Sequence, residues 1–451
     1  MSDTTRMRPV ASPQRGPSRR DFHKTTLLAA TAGGWFSLPQ SDLGAAPAVN
    51  DRLTAAVIGC GGMATIHAQH QLEPHFHIAA ICDVDQTRAE AYRAVAPDAE
   101  VVGPDYRDVL ERDEIDVVFV TTPDHWHAKI TVDALRAGKD VYCEKPLTFS
   151  VDEGRVIEST LAATDRILQV GTQQRSDPNF QTAVALARSG RLGAVRKVTV
   201  AIGGGPAGGP FASRPVPSGL DWNRWLGQAT MTEYIPERCH GNFRWWYEYS
   251  GGKLTDWGAH HVDIAMWALG TAAKGKVRIE VVRSEHPVPL RNGQPTQADR
   301  YNTATSFDIR CRMQGGAELI IRDSAPDLGF ENGILIECEG GRYFVNRGKL
   351  TGKPIEDLSQ QDLSQALTSD LRGGRPVMSH TRHFYECVHR RQQPISDAAS
   401  HVRHLNLCHL ANIGQRLGRD VHWDPESRSV IDDPEANRWL RREQRHGFEV
   451  V

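Results

Sequence analysis

The chain has 451 residues, with 24 % charged, 39 % hydrophobic and a formal net charge of −2. That length suits two or three domains. The balanced charge gives no electrostatic footprint for nucleic acid or for an anionic membrane surface. Eight cysteines are scattered without a C-x-x-C pair. Those in apolar or glycine-rich stretches, such as Cys60, Cys82 and Cys143, read as buried free thiols.

The first element is not part of a fold. Residues 18–40 read SRRDFHKTTLLAATAGGWFSLPQ. Paired Arg19 and Arg20, with Phe22 and Lys24, precede a short apolar run that two glycines interrupt. The run is too short for a comfortable membrane span. Ala46-Pro47-Ala48 offers a small-residue cleavage site. Residues 1–50 are therefore expected to be a twin-arginine export segment and linker. The destination is then periplasmic or otherwise extracytoplasmic, with no stable membrane insertion after processing.

Residues 51–174 read as a doubly wound α/β domain. RLTAAVIGCGGMATIHAQHQL predicts strand, tight turn and helix, and FHIAAICDVD predicts a second buried strand ending in acids. Further strands follow in IDVVFV, DVYC and RILQV, with helices between them. Short apolar runs alternating with helices indicate a parallel sheet covered on both faces. Gly59, Gly61, Gly62, Met63 and Ala64 lie in a G-x-G-x-x-A turn between the first strand and its helix. Gly59 permits the turn, Gly61 lets a pyrophosphate approach the backbone, and Ala64 lets helix and strand pack closely. Asp83 stands near the offset of an acid that binds the adenosine ribose, which favours NAD over NADP.

Residues 175–451 change rhythm. RKVTVAIGG, TSFDIRCRM, AELIIRDSA and GILIECEGGRYFV predict a large, mostly antiparallel open sheet in an α+β domain. Residues 203–218 read as a long glycine- and proline-rich loop, and 381–391 and 401–417 as helices.

Three motifs carry a resemblance. Glu144-Lys145-Pro146 lies at a strand end, Thr122, Pro123 and His127 lie in TTPDHWHA, and Asp256 and His260 lie in GGKLTDWGAHHVD. Together with the glycine turn, these make the chain, from about residue 54 onward, similar to the glucose-fructose oxidoreductase / inositol dehydrogenase / MocA family. The resemblance implies a Rossmann domain followed by a substrate-binding and oligomerisation domain. It also implies a cis Lys145–Pro146 bond and a homo-oligomer. It makes Thr122, Pro123, His127, Glu144 and Lys145 cofactor-side residues.

Lys145, Asp256 and His260 form the expected catalytic set. An ammonium at a strand's carboxyl end can stabilise a developing alkoxide. An imidazole can take a hydroxyl proton. Asp256 and His260, four apart on one expected helix, share a face, and Asp256 orients the substrate or the imidazole. His261 is turned away. Arg175, Arg244, Trp245, Tyr247 and Lys253 are the candidate substrate contacts. The aromatics among them equally suit a core, and Arg244 and Lys253 suit sugar hydroxyls or an acidic sugar. The histidine pairs bring no ligand set of a usual zinc pattern, so no metal is expected.

The function these residues imply is hydride transfer between a sugar, glycoside or cyclitol hydroxyl and NAD. Two alternatives remain. One is a redox-neutral glycoside-cleaving or epimerising enzyme acting through a transient keto-sugar. The other is a non-catalytic sugar-binding protein on the same fold. Export of a folded protein suggests that NAD is loaded first and held tightly.

Overall fold

A computed structural model describes residues 51–451 apart from 71, 73 and 360–367. The expected export segment, residues 1–50, lies outside the described residues.

The first sheet contains β1 (Leu53–Ile58), β2 (Phe76–Cys82), β3 (Glu100–Gly103), β4 (Val117–Val120), β5 (Asp140–Cys143) and β6 (Leu168–Val170). Their order is β3-β2-β1-β4-β5-β6. Every neighbouring pair is parallel. β4 and β5 are buried along their whole length, as a sheet covered on both faces requires. The direction of strand progression reverses between β1 and β4. A crevice therefore opens outside their carboxyl ends, where doubly wound sheets bind ligands. Gly59, Thr122, Glu144 and Gly171 all follow strands at that edge.

The second sheet has nine strands. Its members are β7 (Val195–Ala201), β8 (Val277–Glu285), β11 (Ser306–Met313), β12 (Glu318–Arg322), β13 (Gly333–Cys338), β14 (Gly341–Asn346), β15 (Lys349–Thr351), β16 (Val421–Asp424) and β17 (Ser429–Val430). A separate hairpin pairs β9 (Leu290–Arg291) with β10 (Gln294–Pro295). The order is β15-β14-β13-β7-β12-β11-β8-β16-β17. Only β7 and β12 run parallel; the other pairs are antiparallel. Inward residues alternate along β11, where Phe307, Ile309, Cys311 and Met313 enter the core. The outward residues carry ion pairs such as Arg312–Glu280 and Arg322–Asp308. Residues 203–217 form no regular element, as the glycines and prolines there predict.

The two C-terminal helices tie the halves together. The His380–Arg390 helix places Phe384 and Tyr385 in the core beside β1 and β2, and the Tyr385 hydroxyl donates to the Asp51 carbonyl at 2.9 Å. The Ala398–Leu417 helix runs beneath the crevice. It meets Leu147 and Thr148 through His401 and His409, and Gly251 through Asn412. Its long, almost fully buried course makes it a brace for both halves of the site. The sequence division at residue 175 assigns these helices to the second domain alone, whereas they pack on both. All eight cysteines are free thiols, and seven are buried.

Candidate active site

The glycine turn is shaped for a dinucleotide. Gly59 adopts φ +94°, and a Cβ there would lie 2.7 Å from the Thr122 nitrogen, so no other residue fits. Gly62, by contrast, opens the Gly62–His70 helix with nothing within 4 Å of a built Cβ. Met63 is partly exposed on the same turn, while Ala64 is buried and accepts a hydrogen bond from Tyr92 at its carbonyl. The Thr122 hydroxyl oxygen is buried without a partner at this edge. An open glycine cradle, a helix N-terminus and an orphaned hydroxyl fit a dinucleotide's phosphates and carboxamide.

Asp83, the expected ribose acid, is bonded into the glycine turn. Its two carboxylate oxygens accept the Cys60 and Asp85 amides at 2.7 and 2.8 Å. It therefore braces the glycine turn. Burial pushes its carboxyl up to about 6, against the pull of those amides. Pro123 caps the start of the Asp124–Arg136 helix.

Two residues expected on the cofactor side are engaged within the protein itself. The His127 ring lies 2.7 Å from the Pro146 carbonyl and 2.8 Å from the Thr122 carbonyl. Its nitrogens are thus committed to holding two crevice loops together, and none is left for a cofactor. Glu144 is buried against His67 Nε2 at 2.8 Å and is also approached by Gln173. Its carboxylate ties the end of β5 to the glycine-turn helix. The Lys145–Pro146 bond is cis, as the resemblance implies.

Of the expected catalytic set, Lys145 and Asp256 bond to each other. Lys145 Nζ donates to Asp256 Oδ1 at 2.6 Å and to the Asp256 carbonyl at 3.1 Å. Arg244 Nε donates to the same Oδ1 at 3.2 Å. Asp256 thus orients an ammonium and a guanidinium, not the His260 ring. Lys253–Asp256 and Gly258–Leu269 are separate helices on either side of Trp257. Burial alone would raise the Asp256 carboxyl, but Lys145 and Arg244 outweigh it and hold the group well below the usual carboxylate range.

His260 is buried, with Nδ1 unpartnered. Burial first, then the Lys145 and Arg347 cations, push its pKa well below the ordinary imidazole value. The ring is neutral at neutral pH, the state a proton acceptor needs. His261 is committed to Gln174 and Asn332, in keeping with its exclusion from the catalytic set.

Two expected substrate contacts lie elsewhere. Arg175 is only 2 % exposed and forms a bidentate pair with Asp263 at 2.7 and 2.5 Å. It also donates to the Ile395 carbonyl and Ser400, so it pins the long C-terminal helix to the catalytic helix. Tyr247 is buried, bonded to His286 at 3.0 Å and covered by the Arg416 guanidinium. Both assignments are corrected: the chain turns these side chains into the interior. Trp245 and Lys253 remain near the catalytic set, with Lys253 Nζ 5.8 Å from the Trp245 ring centroid and 5.8 Å from that of Trp257.

Sequence reasoning missed Arg347. It follows β14 and lays its guanidinium 4.6 Å from the Trp257 ring centroid. It also missed Asp124, which lies buried beneath the site and accepts from Ser250 Oγ at 2.6 Å. Arg347 lies outside the motifs, on a distant hairpin, and only the sheet topology could bring it in. Asp124 sits inside TTPDHWHA and could have been found by asking which acid faces Arg244.

The fold and site define a two-domain scaffold that holds a dinucleotide beside an ammonium and a neutral imidazole. The chain belongs to the Gfo/Idh/MocA oxidoreductase family. Residues 53–172 match that family's NAD-binding Rossmann fold, and residues 208–450 match its C-terminal alpha/beta domain. The scyllo-inositol 2-dehydrogenase (NAD(+)) of Bacillus subtilis strain 168 is 25 % identical over 379 residues, 83 % of this chain and 97 % of the relative. Other likenesses are shorter. The matched stretch spans 54 % of oxidoreductase YrbE of Bacillus subtilis, at 26 % identity over 49 % of this chain. It spans 42 % of the inositol 2-dehydrogenase of Rubrobacter xylanophilus, at 33 % identity over 32 % of this chain. Among solved structures, the WlbA dehydrogenase of Bordetella pertussis, in complex with NADH and UDP-GlcNAcA, has the same fold. Its TM-score is 0.58 at 20 % identity, covering 83 % of this chain and 98 % of that one.

Proposed function

We propose that this protein is an NAD-dependent dehydrogenase acting on a hydroxyl-bearing carbon of a sugar, glycoside or cyclitol. The observation that carries the reading is the joint placement of Lys145, fixed by Asp256, with a neutral and unpartnered His260. NAD+, when bound, supplies the hydride acceptor. An ammonium has three protons. Asp256 takes two of those on Lys145, through its carboxylate and its carbonyl. The third is left for the substrate oxygen, where it stabilises negative charge as the hydroxyl proton leaves. His260 accepts that proton. Arg244 keeps Asp256 ionised and so keeps Lys145 in place. The inositol dehydrogenases among the relatives support this substrate class.

The test is turnover by the NAD-loaded protein on a panel of sugars, glycosides and cyclitols, with NADH read by absorbance and the keto product by mass spectrometry. Aglycone release without net NADH would move the assignment to the redox-neutral reading. Binding without turnover would move it to the non-catalytic one.

We further propose export by the twin-arginine route with NAD already bound, and assembly as a homo-oligomer. The paired Arg19 and Arg20 support the first. The second is supported by the outer face of the nine-stranded sheet, where Val282 is 56 % exposed. Denaturing the exported protein and identifying the released nucleotide tests cofactor retention. Light scattering on the purified protein tests assembly.

A further inference from the structure

The catalytic crevice holds more positive charge than its chemistry uses. Lys145 and Arg244 share Asp256. Glu144 is taken by His67, and Asp124 accepts from Ser250. Lys253 then stands out. It belongs to the same short helix as Asp256, is partly exposed, and forms no ion pair or hydrogen bond among the described residues. Its ammonium instead lies between the Trp245 and Trp257 rings, at 5.8 Å from each centroid. Arg347 lies on Trp257 as well, so a second cation shares this wall. The loop leaving β7 passes close by: a Cβ at Gly203 would stand 3.7 Å from Lys253 Nζ. The next acid along that side, Asp323, is paired with Arg283 at 2.7 Å.

A partly buried ammonium costs free energy unless something of opposite charge meets it. Burial lowers the pKa of Lys253, and Lys145 and Arg244 lower it further against the pull of Asp256. The protein itself thus leaves this cation under-compensated, in a place open to a ligand. Two flanking indoles hold the ammonium in position and present apolar faces suited to the C–H side of a sugar ring.

We propose that Lys253, with Arg347 behind it, selects a polyol bearing a carboxylate, so that the preferred substrate is of the uronate type. This rests on the dehydrogenase reading above. The carboxylate meets Lys253 while the reacting hydroxyl meets Lys145 and His260, so the two lysines bind opposite ends of one molecule.

The test uses NAD-loaded protein with D-glucuronate and D-galacturonate as probes against D-glucose, D-galactose and myo-inositol. NADH formation gives kcat and KM, and tryptophan quenching gives affinity independently of turnover. A charge-assisted contact is worth about 10- to 100-fold in affinity, so the uronates should show KM and Kd values lower by that factor. Lys253→Met should collapse the ratio of uronate to neutral affinity by a similar factor, and Lys253→Arg should retain most of it. High salt should narrow the wild-type preference without abolishing it. Unfolding temperature and NAD affinity report whether the variants remain folded. Equal or better binding of the neutral sugars by wild type overturns the proposal, as does a Lys253→Met variant that weakens both classes equally. Uronate-selective quenching without NADH formation would instead uphold it and strike the dehydrogenase reading alone.

Discussion

The interior of this protein makes it sensitive to acid, and the size of the effect follows from its histidines. His125, His261, His380, His401 and His409 are all buried. Burial first pushes each of them down, to about 3 for His125, His261 and His401 and to about 4 for His380 and His409. An unfolded chain protonates the same rings near pH 6.5. As pH falls through that value, the unfolded state takes up protons that the folded state refuses. Stability is therefore full above about pH 6.5 and lost below it. The linkage is about 0.8 kcal/mol per ring at pH 6 and about 2 kcal/mol at pH 5, so the five together remove up to about 10 kcal/mol at pH 5. That matches the whole stability of an ordinary domain, about 5–15 kcal/mol. Urea unfolding followed by tryptophan fluorescence at pH 8, 6 and 5 reads the effect. The midpoint should drop modestly by pH 6 and collapse by pH 5. A midpoint at pH 5 equal to that at pH 8 would falsify the reasoning, because it would require these rings to titrate alike in both states.

Other perturbations separate chemistry from scaffold. Lys145→Met should lower kcat/KM by about 10²–10³ while NAD affinity is retained, since it removes a donor aimed at the reacting oxygen. The acid limb of kcat/KM should fall well below pH 6.5, because His260 is held neutral by burial and nearby cations and loses its base function only below its folded pKa. An acid limb centred at pH 6.5 would point to a different base. Arg175→Met should destabilise the fold by about 3–5 kcal/mol by leaving Asp263 buried with His404 as its remaining partner and no full opposite charge. The folded fraction should keep its KM, which a substrate contact would not allow. Gly59→Ala should abolish NAD binding in titration calorimetry, because the new Cβ collides with the Thr122 backbone.

The parts of this molecule visible in its sequence are those whose physics is local. The turn at Gly59 needs positive φ between a strand and a helix, and both neighbours announce themselves by apolar periodicity. The strand-end motifs around Thr122 and Lys145 share one edge because parallel strands point the same way. Side-chain direction was harder to read. Arg175 stands at the right strand end, yet a 3-10 turn at Gln173–Ser176 sends it inward to Asp263, 88 residues away. Tyr247 follows Arg244 by three residues but is drawn to His286 and Arg416 by contacts that only the folded second domain creates. Arg347 arrives from a hairpin whose register places it beside Trp257. No window of sequence contains both partners of these pairs.

The change of partner at Asp256 explains how the crevice keeps two kinds of proton chemistry apart. Had the carboxylate met His260, it would have favoured the imidazolium and spoiled the base. By meeting Lys145 and Arg244, it keeps an ammonium oriented and charged, while burial first, then Lys145 and Arg347, make protonation of His260 less favourable. The backbone carbonyl of Asp256 also accepts from Lys145, so the ammonium is held by two groups of this one residue. One acid thus holds the ammonium charged and in place, while burial and the surrounding cations, against the pull of that acid, keep the imidazole neutral.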